Sequence, residues 1–432
     1  MPDRIKFISD SKPSLLQITS VLICFLMNML DGTNVMIISY TAPVIAKEFS
    51  INPQLMGFVF SAGLLGMAIG AMFLAPFADK IGRYGLILIS VIVMGVSIFL
   101  TAYAQNAIHL ILFRILSGLG IGAMLASTAT LGSEYAPPKF KSLWVSWVMG
   151  GYPIGAVLSG MAVAGTLPHY GWRSIFQYSG IITLLTIPLI VFFLGESLDF
   201  LIKTQPKNAL NRINKILIKM SVPLLNELPV LSSIEKKRNS VGSLLVPNLK
   251  WATIKLWIGI FMSFATLYFL TSWIPKLASN TGMSASLAIY AGTLFNLGAF
   301  VGILAQGFLS TKFGLRKTIS WFLFLTALLM ILFGFFTNPI LILILISLIG
   351  FGIQGGFVGL YSFAAELYST KIRATGVGWA IGLGRVGAIL GPTFGGSLIM
   401  LGMRMSSTFF VFSLPLLVGA MVTWYNTTTE EK

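Results

Sequence analysis

Long apolar runs separated by short polar segments organise the whole chain. Twelve runs are long enough to cross a bilayer, near residues 15–41, 54–78, 85–104, 107–134, 142–165, 172–194, 253–274, 287–310, 318–337, 339–366, 372–399 and 406–425. A spanning helix needs about 20 mostly apolar residues. Lipid offers the backbone no hydrogen bonds, so each run must be a helix or a strand of a closed barrel. Barrel strands are short and alternate, whereas these runs are long and continuous. The pattern therefore predicts an all-α integral membrane protein with twelve transmembrane helices. The first run follows Arg4, Lys6 and Lys12 as a signal peptide would. It is too long for the apolar core of a signal and lacks a small-residue cleavage site, so it reads as the first span.

The longest interruption, 195–252, carries Pro206, Pro223, Pro229 and Pro247. It divides the chain into an N-terminal six-helix bundle (1–194), a cytoplasmic central loop (195–252) and a C-terminal six-helix bundle (253–432). Within the loop, 208–220 has helical periodicity and a basic face, which suits a partly helical linker or a helix lying on an anionic leaflet. The two halves are related. A shift of 232 residues lays Gly82 on Gly314, Glu134 on Glu366, Lys139 on Lys371, Lys141 on Arg373, and Gly155 on Gly387. A shift of six helices preserves orientation in the membrane, so the bundles form a parallel pseudo-two-fold repeat. Two such halves around a central site are transporter architecture.

Composition agrees: 56% of residues are hydrophobic, 10% are charged, and mean hydropathy is +0.88. Folded in water, such a chain would be covered in apolar surface, which excludes a soluble enzyme. The net charge of +16 is explained by position. The termini and the loops on their side hold 22 of the 29 Lys and Arg, and the opposite loops hold four. That bias predicts cytoplasmic termini in a multi-pass plasma membrane protein, here a bacterial inner membrane, and removes any need for nucleic acid. One cysteine, Cys24, and two distant histidines in short loops, His109 and His169, leave no disulfide, metal site or catalytic constellation. No cofactor and no enzymatic activity are expected.

The segment Ala75-Pro76-Phe77-Ala78-Asp79-Lys80-Ile81-Gly82-Arg83 resembles the G-x-x-x-D-R-x-G-R signature of the major facilitator superfamily, with Ala75 in place of its first glycine. Arg114-x-x-x-Gly118-x-Gly120-x-Gly122 in the fourth span is similar to that superfamily's R-x-x-x-G-x-G-x-G motif. A narrower resemblance runs from the first span to the last. Leu30-Asp31-Gly32-Thr33, Glu134-Tyr135-Ala136-Pro137, Gly171-Trp172-Arg173, Gly195-Glu196-Ser197, the run from Glu366 to Trp379, and Gly384-Arg385-Val386-Gly387-Ala388 resemble the aromatic acid:proton symporters. The resemblance implies import of a small organic anion, aromatic or a related carboxylate, by proton symport with alternating access. In that family the first span usually reads D-G-x-D; here it reads Asp31-Gly32-Thr33-Asn34, so an amide stands where a second carboxylate would.

Asp31, Arg114 and Arg385 are the ionisable residues deepest in the spans, and the repeat sets Ser263, Ile346 and Pro153 against them. Charges at that depth usually face a cavity or each other. Asp31 and Arg114 are the candidates for proton coupling. Arg385 is the candidate for the substrate carboxylate, since a planar guanidinium matches two oxygens. Asn34, Tyr152, Asn296, Gln354, Tyr361 and Trp379 are candidates to line the substrate slot. Asp79, Arg83, Glu134, Glu366 and Arg373 cluster at cytoplasmic helix ends as a candidate gate, pairing when the protein faces outward. The expected partners are an organic anion, a proton and the lipid bilayer, with a monomer as the working unit. Uptake of another anion, such as nicotinate or a sugar acid, and proton-coupled drug efflux are the alternatives.

Overall fold

The computed structural model describes residues 13–136, 141–220, 223–228, 241–280, 283–336, 338–369 and 372–426. Among the described residues, eleven helical stretches are long and apolar enough to cross a membrane. One of them, Trp147–Phe193, turns back at Gly171, whose φ of 72° no helix accommodates. It therefore counts twice, and the spans number twelve. They are α1 (Leu15–Glu48), α2 (Pro53–Ile81), α3 (Arg83–Thr101), α4 (Ala107–Tyr135), α5 (141–170) and α6 (172–193) in the first half. In the second half they are α7 (Lys250–Asn280), α8 (Ala285–Phe313), α9 (Leu315–Leu332), α10 (Pro339–Leu367), α11 (Arg373–Met400) and α12 (Met405–Trp424). His109 and His169 fall in the first turn of α4 and the end of α5 rather than in loops. Asn106 caps α4 by accepting from the His109 N–H at 3.0 Å, and α5 continues through Pro168.

The repeat is visible in helix ends and caps. At the same 232-residue shift, α2 and α8 begin and end in register, as do α4 and α10, and α3 and α9 begin in register. Asn106 and Asn338 cap α4 and α10. Gly82 and Gly314 turn the chain with φ of 91° and 84°. Helix contacts repeat as well. Gly66 on α2 lies against the Ile115 carbonyl of α4, and Gly298 on α8 lies against the Ser347 carbonyl of α10. Gly155 on α5 meets the Met29 carbonyl of α1, and Gly387 on α11 meets the Phe261 carbonyl of α7. Small residues at these points let backbones touch, which is how helices hold together where lipid removes the hydrophobic drive. Lys139 and Lys371 lie outside the described residues.

The halves meet through α2 against α11, α5 against α8, and α1 against α7. Hydrogen bonds between them, among the described residues, sit on the side of the molecule away from the termini. Ser61 on α2 donates to the Ile389 carbonyl at 2.6 Å and lies 2.8 Å from the Thr393 hydroxyl, both on α11. Asn296 on α8 reaches the Met36 sulfur on α1 at 3.6 Å, and Phe60 stands edge-on to Trp273 at 5.2 Å. Glu48 at the end of α1 accepts from Trp172 Nε1 and pairs with Arg173, both at 2.6 Å, tying two far-side loops of the first half together.

Between α6 and α7 the chain forms two short helices, Leu198–Thr204 and Ala209–Lys219. The second buries Ala209, Ile213, Ile216 and Leu217 and exposes Arg212, Lys215 and Lys219. Its Asn214 side chain bonds both backbone groups of Leu225 at 3.0 Å. The amphipathic segment thus turns its apolar face to the protein.

Candidate functional site

The site forms where α1 and α4 of one half face α7, α10 and α11 of the other. On α1, Asp31 is 2% exposed, and its Oδ1 is buried without a hydrogen-bond partner. One turn later Asn34 is buried as well, and Arg114 of α4 donates from Nη1 to both its side-chain carbonyl and its backbone carbonyl, the latter at 3.3 Å. Arg114 therefore bonds Asn34 and not Asp31. Space for the guanidinium comes from Gly63 on α2, where a Cβ would lie 2.8 Å from Nη2. The repeat explains why that room exists in one half only. Gly63 and Arg114 correspond to Phe295 and Ile346, so a small residue beside a large polar one replaces two apolar ones.

Arg385 projects from α11 into a group of aromatic rings on α7 and α10. Its guanidinium carbon is 6.0 Å from the Phe264 ring centre, and the Tyr268 side chain is a neighbour of its charge. Phe264 packs against Phe357 at 4.7 Å and Tyr361 at 6.2 Å, and Phe357 meets Tyr361 edge-on at 5.2 Å. Arg385 Nη1 is buried and has no hydrogen-bond partner. Arg385 and Arg114 are the cations near Asp31, yet no ion pair within 4.0 Å links Asp31 to either. Tyr152 of α5 lies in the neighbourhood of Tyr268, Asp31 and Arg385 and completes the same cluster. An unsatisfied guanidinium nitrogen beside a cluster of aromatic rings is suited to a planar molecule carrying a carboxylate.

The structure brings Asp31, Asn34, Arg114, Tyr152, Tyr361 and Arg385 together. The other three candidates make no hydrogen bond or ring contact with this cluster. Asn296 is buried where the halves meet and bonds the Gly292 carbonyl of its own helix at 2.9 Å. Gln354, half-buried on α10, occupies the position that Gly122 has in the first half. Trp379 lies near the start of α11 beside Trp257, ring centres 6.3 Å apart, six residues before Arg385. Sequence reasoning missed Phe264, Tyr268, Phe357 and Gly63. The spacing Phe264-x-x-x-Tyr268 and Phe357-x-x-x-Tyr361 places each pair on one helix face and carries the signal for the first three.

On the termini side, the first half gathers one polar cluster. Asp79 and Arg83 pair at 2.9 Å across the Gly82 turn, and Arg83 stacks over Phe200 at 5.8 Å. Ser197 donates to Glu134. Glu196 accepts from the Tyr84 and Ser197 N–H groups at 3.1 and 2.9 Å, capping the start of α3, and occupies the space that a side chain at Gly82 would need. In the second half Arg373 donates to the Tyr368 carbonyl at 3.3 Å, and Glu366 is exposed. No ion pair joins the two clusters among the described residues.

The chain is 32% identical over 408 residues to the 4-hydroxybenzoate transporter PcaK of Acinetobacter baylyi, covering 93% of this chain and 88% of that protein. It is 30% identical over 404 residues to the gallate transporter of Pseudomonas putida, covering 93% and 90%. Its fold matches the crystal structure of a bacterial homolog to the human lysosomal transporter Spinster, inward-facing and unoccupied, with a TM-score of 0.72 at 18% identity over 96% and 97% of the two chains. The family model described as Major Facilitator Superfamily matches residues 24–276 and 256–432. Nearly the whole length fits that model, so the chain belongs to the major facilitator superfamily, as a membrane transporter rather than an enzyme.

Proposed function

We propose that the protein imports a small aromatic carboxylate together with protons, by alternating access. The observation that carries this reading is Arg385: a buried guanidinium nitrogen without a partner, near Tyr268 and a cluster of Phe264, Phe357 and Tyr361 rings. A charge this deep is costly unless it serves a polar ligand. The ring faces supply contact area for a planar substrate, and relatives that transport 4-hydroxybenzoate and gallate support an aromatic one. Asp31 is the proton site. Arg114 and Asn34 hold the shape of its surroundings.

The excess of Lys and Arg on the termini side supports cytoplasmic termini in a bacterial inner membrane. On this reading the hydrogen bonds that join the halves lie on the periplasmic side. In the outward-facing state, Asp79, Arg83 and Glu134 come together with Glu366 and Arg373 to close the cytoplasmic mouth. Residues 1–194 and 253–432 move as two bundles, with 195–252 joining them. Each half contributes part of the site within one chain, which supports a monomer as the working unit.

The test is uptake of labelled 4-hydroxybenzoate, benzoate and nicotinate by cells expressing the chain, compared with Arg385→Lys. Uptake of an aromatic acid that falls at least tenfold in the variant supports the proposal. Full uptake by Arg385→Lys, or transport of cations alone, overturns it.

A further inference from the structure

We infer that each carboxylate is carried with one proton, so that import of a monocarboxylate moves no net charge. This rests on the proposed import of an organic anion with protons, and deepens it. The starting observation is a census of acids. Among the described residues, Asp31 is the one Asp or Glu in a span that lies away from its ends. Glu48, Glu134 and Glu366 occupy the last or next-to-last residues of α1, α4 and α10, and Asp79 lies at the end of α2. Glu196, Asp199 and Glu227 lie between α6 and α7, and the other five acids of the sequence fall outside the described residues and outside the apolar runs. The two histidines sit at far-side helix ends.

The groups facing Asp31 supply no second proton site. They are Arg385 from α11, Arg114 from α4, Tyr152 from α5 and Tyr268 from α7. Arginine stays charged, and a tyrosine hydroxyl stays neutral near pH 7. Asn34 meets Arg114 with an amide, which fixes the guanidinium by hydrogen bond but neither neutralises it nor carries a proton.

The net charge of the site is the same in the two coupled states. Empty, with Asp31 ionised, the site holds two guanidiniums and one carboxylate, a net +1. Loaded, with Asp31 protonated, it holds two guanidiniums and the substrate carboxylate, again +1. The substrate's carboxylate replaces that of Asp31 as counterion. Empty with Asp31 protonated, the site would carry +2; loaded with Asp31 ionised, it would carry zero. The proton binds Asp31 from water on one side and leaves to water on the other, and no other bond forms or breaks.

The test uses the full chain in liposomes with labelled 4-hydroxybenzoate, benzoate and nicotinate as probes. Exchange of labelled for unlabelled anion across the membrane, without any gradient, checks the anion reading by itself. With the potential clamped at zero, a pH difference should accumulate the exchanged anion about tenfold per unit, acid outside. An inside-negative potential at equal pH should accumulate none. Accumulation near a hundredfold per unit, or driven by the potential alone, overturns the one-proton inference and leaves anion import standing. Exchange with no response to either gradient also overturns it. Failure of all three probes to exchange overturns the import reading, and the inference with it.

Discussion

Arg114 of α4 hydrogen-bonds the side chain of Asn34 on α1, although the carboxylate of Asp31 stands one helical turn away. The guanidinium is held by a neutral group, so its charge remains available to the site. Asp31 in turn keeps an oxygen free of hydrogen bonds. Charge is thus unevenly shared between two cations and one acid in a place where water does not screen it.

That balance makes Asn34→Asp informative. The variant places a carboxylate on Arg114 and lowers the site's net charge by one. A unit charge about 10 Å from a bound anion, at an effective dielectric constant near 20, contributes about 1.5 kcal/mol. The KM for the anion is expected to rise roughly tenfold, as initial-rate uptake would show. An unchanged KM would mean that the site does not sense this charge.

The Tyr268 side chain is a neighbour of the Arg385 charge, while its ring stacks on Phe264 at 6.0 Å. Tyr268→Phe keeps the ring and removes a hydroxyl beside the charged guanidinium, a loss of about 1.5 kcal/mol in holding it for the anion. The expected result is a KM raised about tenfold with little change in maximal rate and in thermal stability of the detergent-solubilised protein. A lowered maximal rate at constant KM would place Tyr268 in the conformational cycle instead.

The sequence discloses the spans and the repeat for one physical reason: lipid permits few backbone solutions, and close helix contacts demand glycine at fixed positions. Gly155 and Gly387 are readable because each touches a carbonyl at the same register. The surroundings of Arg385 are less readable. With 33 phenylalanines in the chain, Phe264 and Phe357 do not stand out from rings that face lipid, because hydropathy says nothing of helix rotation. The Arg114–Asn34 bond joins residues 80 positions apart, so only the packing of α1 on α4 reveals it. Trp379 shows the converse. Its neighbourhood in sequence suggests the site, but six residues of helix set it one and two-thirds turns from Arg385, beside Trp257.

Gly63 and Gly66 lie three residues apart on α2 and separate function from stability. A methyl at Gly63 meets the flexible end of Arg114, whereas one at Gly66 meets the Ile115 backbone of α4. Gly63→Ala is expected to displace the guanidinium and cut uptake at least tenfold, with a melting temperature close to that of the parent. Gly66→Ala is expected to cost about 1–3 kcal/mol through overpacking and to lower the melting temperature. Equal melting temperatures with equal loss of uptake would remove the distinction drawn between the two contacts.

The seal between the halves away from the termini depends on few polar contacts, and Ser61 makes two of them, to Ile389 and Thr393. Ser61→Ala removes both, about 1–2 kcal/mol in total. These bonds cross between the bundles, so the loss falls on the closed state of that side. The ratio of closed to open molecules is then expected to fall by about 5–30-fold. Ser272, buried beside Arg114 in a cleft lined also by Phe60, is a suitable reporter. In a Ser272→Cys background the native Cys24 stays silent, since it is buried in α1. Labelling of the new cysteine by an impermeant thiol reagent from the far side should accelerate by a similar factor when Ser61→Ala is added. Equal labelling rates would show that the apolar contacts of Phe60 and Trp273 close this side without help from Ser61.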